Sequence, residues 1–324
     1  MVIEQTLTLN STNVDDSLDP TTEWATTMDA VNTGDQVVVK TESNGTTQIF
    51  PFEIYQAVAD SVTSYPPATP SEWVRVGASN AHKMFDGKNN SRTIATHSTG
   101  NIVTEVVPKG RPKFVYLYGL RNVTKVEVDV SYTHDGSPRT DTFESDLLIS
   151  YSAVGFYSWL FDIKSVDRAY RSSAGFFIPT VPAPPNEPTI TVTLYGAPDI
   201  SAECAQLIIG TGFWLGDTEW GVEPTLRDYS TFEANDWGDK VLVPRQNTRE
   251  ISGTLWVNTQ DYDRVFQIFE SRINQLALFD FNNGDEISSS GVKDALRVYG
   301  KLSSISGGLK YNKTPINLKI EGNS

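Results

Sequence analysis

The chain of 324 residues carries 3 histidines, 1 cysteine and 40 acidic side chains, and their spacing decides which chemistry is open to them. His82, His97 and His134 are scattered. None stands at the short spacing by which a local motif places two ligands on one metal, so a zinc hydrolase is not expected. Cys204 is alone, which excludes an internal disulfide and any cysteine-cluster metal site. Its neighbours, Ala202 to Gly210, read as a buried strand, so the thiol is expected to be inert. Gly210-Thr-Gly-Phe-Trp-Leu-Gly216 looks at first like a dinucleotide loop, but Leu215 stands where the third glycine should fall and no evident helix follows. There is no phosphate-cradling loop ending in Gly-Lys-Ser/Thr and no Gly-x-Ser-x-Gly elbow. Two carboxylates would suffice for a glycosidase, yet nothing sorts such a pair out of the acidic residues. No catalytic residue, cofactor or metal ligand is assigned, and the chain is not read as an enzyme.

Aromatic side chains and polar loops are what the chain does offer. Trp24 and Trp73 flank the first block, with Tyr55 between them. Exposed rings on a rigid β platform stack against the apolar faces of sugars while nearby amides and carboxylates take the hydroxyls, so Trp24, Tyr55 and Trp73 are the candidate glycan-contacting residues. The other reading is that they form most of a small core, because a module of this size has little else to bury.

Charge and composition limit the partners. With 26 Lys+Arg against 40 Asp+Glu the formal net charge is -14, and no basic stripe exists to release phosphate counterions, so nucleic acid is not an expected partner. The hydrophobic fraction of 39% is ample for packed cores but too diluted for an apolar span of about 20 residues, so membrane insertion is not expected. The opening MVIEQTLTLN shows neither the basic region nor the apolar stretch of a secretory signal. Synthesis in a cytoplasm is therefore expected, a bacterial one being one case, and Asn-x-Ser/Thr matches such as those at Asn10 and Asn44 are read as chance.

The elements that must position these residues are overwhelmingly strands. In Val123 to Thr133, Val126, Val128, Val130 and Tyr132 lie on one face and Lys125, Glu127, Asp129 and Ser131 on the other, the period of two of a half-buried antiparallel strand. Asp135-Gly136 then reads as a hairpin turn, which makes His134 a turn residue. Further strands are predicted at Gln36 to Lys40, Asn101 to Val107, Lys113 to Gly119, Thr189 to Gly196, Glu250 to Val257 and Leu309 to Ile320. One segment breaks the rule: Tyr262, Val265, Phe266, Phe269, Ile273 and Leu276 recur at three- and four-residue spacing, predicting an amphipathic helix at about 261–278 with Thr259 or Asp261 as N-cap.

Turn-rich stretches divide the chain into three expected domains: a small β module at 1–78, closing on Tyr65-Pro-Pro-Ala-Thr-Pro70; a β-sandwich at 79–198; and a C-terminal β domain with the helix at 199–324. The proline-rich run from Ile178 to Pro188 reads equally as a linker or as a surface loop.

Two resemblances follow from specific motifs. The order Trp24 to Val37 with Gly34-Asp35-Gln-Val, then Ile54-Tyr55-Gln56, then Pro70-Ser-Glu-Trp73, resembles the small carbohydrate-binding modules appended to chitinases. That module followed by Gly77-Ala-Ser-Asn80-Ala-His-Lys-Met84-Phe85-Asp86-Gly87 is similar to the tail-tip and distal-tail proteins of long-tailed bacteriophages, in which such a stretch enters a jelly-roll-like β-sandwich. Gly210 to Gly216, Gly221, Asp228-Tyr-Ser230, Gly238 and Val243-Pro-Arg245 are similar to the C-terminal region of the same group. The resemblance implies a mainly β structural component of the virion at the tail tip or baseplate, in a homo-oligomeric ring, with the tail tube, hub and tape-measure end as partners. A host-glycan-binding receptor-recognition protein is the alternative.

The same motifs have a physical reading. Asp86-Gly87 is a turn in which Gly87 takes a positive φ while Met84 and Phe85 anchor the loop, a folding signal. Asp228 could pair with Arg227, Arg245 or Arg249. Indoles are hard to bury in glycine-rich loops of one subunit, and Arg and Trp are enriched at interfaces. Trp214, Trp220, Asp228, Tyr229, Trp237 and Arg245 are therefore the candidate assembly-interface residues.

Overall fold

Val126, Val128 and Val130 are fully buried in the computed structural model of the protein, on the one face that their alternation requires. They belong to β9 (Val123–His134), the second strand of a five-stranded antiparallel sheet with the order β10-β9-β12-β7-β2. Its other members are β10 (Ser137–Asp146), β12 (Thr189–Gly196), β7 (Ile102–Pro108) and β2 (Leu7–Thr12). The turn between β9 and β10 is Asp135-Gly136, both at positive φ, so His134 pairs directly with Ser137. The structure describes residues 2–5, 7–12, 19, 23–25, 29–45, 48–88, 90–96, 99–108, 112–147, 170–178, 188–219, 221–234, 237, 240–243, 245, 247–273, 275–281 and 296–323.

Facing this sheet across one apolar core are β8 (Phe114–Tyr118), β11 (Ser173–Phe177) and β14 (Gln206–Phe213). Their inward residues Val115, Leu117, Phe176, Leu207 and Ile209 meet Ile102, Val106, Ile190, Val192 and Leu194. Sheet on sheet with alternating inward residues is the β-sandwich expected for the middle of the chain. The second sheet does not stop there. It continues through β1 (Val2–Gln5), β20 (Ala277–Asp280), β21 (Arg297–Gly307), β22 (Lys313–Gly322), β19 (Asn247–Asn258) and β15 (Asp217–Thr218), with β16 (Glu223–Asp228) also paired to β19, making ten strands. A second core lies on the distal strands, where Ile251, Leu255, Ile316, Leu318 and Ile320 pack with Val265 and Phe269.

Those last two belong to α1 (Tyr262–Arg272), which follows a 3-10 turn at Thr259–Asp261 and is the α-helix among the described residues. The helix is shorter than the spacing predicts. Ile273 is already extended, Leu276 is half-exposed, and Ala277–Asp280 forms β20. Ala277 and Phe279 face the second core while Leu278 faces Phe114, Tyr116, Ile208 and Tyr299. A strand covered on both faces reads as a continuous apolar run, which extends a helical pattern by coincidence. Asp261 stands at the helix N-cap but makes no side-chain cap bond, and Thr259 instead donates to the carbonyl of Lys310.

The N-terminal module is a three-stranded antiparallel sheet of β3 (Gln36–Thr41), β4 (Gln48–Ala57) and β5 (Trp73–Ala78). Residues 2–5 and 7–12, expected within it, pair elsewhere. β1 lies between β14 and β20 of the large sheet, and β2 edges β7 of the sandwich. Similarly, β14, expected in the C-terminal block, supplies the sandwich core. Sheets are closed by long-range pairing, to which a division by turn composition is blind. Two short pairs complete the strand set: β6 (Thr93–Ile94) with β13 (Glu203–Cys204), and β17 (Thr231–Ala234) with β18 (Lys240–Val243).

Candidate functional site

Trp24, Tyr55 and Trp73 face inward. Their exposures are 4%, 8% and 2%, and together with Val37, Val39, Ala57 and Val62 they make the core of the N-terminal module. Trp24 stands edge-on to Tyr65 at 4.7 Å and donates its indole N–H to the carbonyl of Ser64. Trp73 donates to the Ser64 hydroxyl at 3.1 Å, and that hydroxyl also contacts Thr69 and Glu72. Tyr55 donates to Glu53, which holds Arg75 at 2.7 Å. A sugar ring needs an open π-face, and these three rings offer none. The glycan-contacting assignment of Trp24, Tyr55 and Trp73 is therefore corrected: their indole and phenol groups are satisfied internally, as buried aromatics with polar handles require.

The Gly77-to-Gly87 stretch is likewise structural. Asn80 is fully buried at the start of a 3-10 turn (Asn80–Phe85). Its side chain donates to the Ile94 carbonyl at 2.9 Å and accepts from the Ile94 N–H at 3.1 Å, so one amide side chain completes an edge as a strand would. Its own N–H is held by both oxygens of buried Asp19. Met84 and Phe85 enter the sandwich core, and Gly87 turns at φ +76. His82, also buried, lies 2.8 Å from the Ser79 hydroxyl and against the Phe52 ring. Burial first, and then the charge of Lys40, lowers its pKa to about 4. His97 lies outside the described residues. Burial pushes the Cys204 thiol up to about 12, as for an unreactive core cysteine.

The C-terminal candidates gather differently. β16 and the first half of β19 pair, and β17 and β18 continue as a two-stranded ribbon. Along it Leu226 is 67% exposed, Phe232 69% and Leu242 52%, and Trp237, between β17 and β18, is 90% exposed. Phe232 and Leu242 are register partners across the ribbon. Tyr229 is exposed beneath the Arg227 guanidinium at 5.6 Å. Arg227 pairs with Glu250 at 2.9 Å, and Lys319 reaches the same carboxylate. Asp228 makes no ion pair among those described; it accepts the Ser230 N–H at 2.8 Å and so fixes the turn into β17. The bonds from Ser230 hold its carboxyl below the usual range. Arg245 is exposed and its N–H donates to the Ser230 hydroxyl. Trp214 is half-exposed, next to buried Leu215, and lines a pocket with Leu255, Phe269 and Phe281. Trp220 lies outside the described residues, as do Gly238 and Pro244. The structure thus brings Asp228, Tyr229 and Arg245 together at one turn and adds Leu226, Phe232 and Leu242, which the sequence reading missed. Their signal was there: Thr231-Phe-Glu-Ala and Lys240-Val-Leu-Val are short alternating runs flanking Asn-Asp-Trp-Gly, a hairpin pattern.

Among the described residues no three His, Cys, Asp or Glu side chains gather as a metal site, and no helix is long and apolar enough to cross a membrane.

No protein-family model matches the chain, and no curated protein matches it. One chain of a solved "virion of native gene transfer agent (GTA) particle" is similar over 34% of this chain and 96% of that one, at 12% identity and a TM-score of 0.25. A likeness this loose transfers neither fold nor role.

Proposed function

We propose that the chain is a structural subunit of a bacteriophage tail tip or baseplate that assembles as a homo-oligomeric ring through the ribbon arm of its C-terminal block and presents its N-terminal β modules outward. The observation that carries this reading is the exposed cross-strand pair Phe232 and Leu242 on the two-stranded ribbon of β17 and β18, with exposed Trp237 between those strands and exposed Leu226 on β16. An isolated two-stranded ribbon is marginal in water, and exposed apolar side chains paired across its strands mark an association surface. The occupant is a second copy of this chain: a ring repeats one contact, so each subunit carries both the arm and the surface that receives it. Tail tube, hub and tape-measure end are the heterologous partners. The motifs from Gly77 to Gly87 and from Gly210 to Gly216, similar to those of tail proteins, support the same reading.

The test is the mass of the purified protein in solution, followed by particle imaging. Defined rings that lose their order when Phe232 and Leu242 are made serine are expected. A protein that stays monomeric at high concentration and never enters particles overturns the reading.

A further inference from the structure

A concave cleft of about 400 Å³ lies where the Tyr118-to-Arg121 end of the sandwich meets the β19–β22 end of the large sheet, lined by Arg92, Arg121 and Arg249 with Ser172, Asn247 and Asn323. Among the described residues no Asp or Glu lines it. In a chain with a net charge of -14, three arginines lining one hollow is the reverse of what composition favours. Arg92 shows the tension: burial, and then the charge of Arg121, lowers its pKa, while Glu203, 3.9 Å from its Nε, works in the other direction. The two arginines are tied to the same framework. Arg92 donates to the Gly119 carbonyl, and the backbone of Arg121 forms a bridge with Glu203. Arg249 is anchored by donation to the Arg297 carbonyl. Contacts to the backbone thus fix Arg92 and Arg249, and Ser172 and Asn247 add a hydroxyl and an amide to the lining residues.

We propose that this cleft binds a compact oxyanion, a phosphate group or a carboxylate. The guanidinium fork matches the paired oxygens of either group, and charge-assisted bonds of this kind are the strong ones. A bound anion also offsets the repulsion between Arg92 and Arg121.

The experiment titrates the full chain with inorganic phosphate, and separately with a short glutamate peptide, at ionic strength held constant with potassium chloride. Calorimetry and thermal unfolding are the readouts. Saturable binding to at least one probe is expected, with at least a tenfold loss in Arg121→Gln and a smaller loss in Arg121→Lys. Arg121 is exposed and its side chain makes no ion pair or hydrogen bond among those described, so both variants should melt like the parent in chloride alone. Phosphate binding alone assigns the free ion or a phosphorylated ligand; peptide binding alone assigns an acidic segment of a partner. If neither probe differs from chloride, or if Arg121→Gln binds as the parent does, the proposal fails. These outcomes are independent of ring formation.

Discussion

The indole N–H of Trp73 donates to the hydroxyl of Ser64 at 3.1 Å, and the carbonyl of the same serine receives the indole of Trp24. One small residue thereby satisfies both tryptophans of the N-terminal module. Ser64→Ala removes the first bond and leaves the second. A buried donor without a partner costs about 1–3 kcal/mol, so denaturant unfolding followed by tryptophan fluorescence should show a loss of that size. A change below about 0.5 kcal/mol would mean that the serine hydroxyl does not hold the indole.

Asn80 replaces a strand with a side chain, pairing with both backbone groups of Ile94. Asn80→Ala leaves an N–H and a C=O unpaired beside the core and is expected to destabilise by about 2 kcal/mol or more. Asn80→Asp at neutral pH should be no better, because a carboxylate cannot donate to the Ile94 carbonyl. Recovery of stability in the aspartate variant at pH 7 would contradict the two-point pairing.

His82 makes stability depend on pH in a defined window. Its folded-state pKa of about 4 lies below the ordinary 6.5, so the unfolded chain binds the proton more readily. Its contribution is intact above pH 6.5, is lost as pH falls toward 4, and levels off below. The slope approaches about 1.4 kcal/mol per pH unit within that window, for a total of roughly 3 kcal/mol. Unfolding measured at pH 7, 6, 5 and 4.5 checks this. A His82→Phe variant should be less stable at pH 7 but should lose the slope; an unchanged slope assigns it to other groups.

Phe232, Trp237 and Leu242 touch solvent more than protein. Changing all three to serine should shift monomer stability only by the order of surface substitutions, about 0.5 kcal/mol each, while abolishing self-association in light scattering. Loss of association together with a collapse of the melting temperature would instead make the ribbon part of the subunit's own fold.

Much of the architecture is legible in local pattern. Alternation alone places Val126, Val128 and Val130 on the buried face of β9, and Asp135-Gly136 declares its hairpin, because side chains one residue apart must point to opposite faces and only certain residues tolerate positive φ. The Met84-Phe85-Asp86-Gly87 anchor is legible for the same reason. Other features depend on what lies opposite in space. Periodicity at α1 continues through Ile273 and Leu276, yet β20 begins at Ala277 because β1 and β21 flank it on either side.

Residue types and their spacing alone determined that the chain is a mainly β protein with a strongly negative net charge and without a local metal or nucleotide motif. Only tertiary structure decided that Trp24, Tyr55 and Trp73 turn inward, that residues 2–5 and 7–12 join two sheets outside the N-terminal module, that Phe232 and Leu242 face solvent, and that three arginines line one cleft. An aromatic residue reads the same whether it is core or surface. The difference is made by the strand that packs over it or fails to, and that strand lies scores of residues away.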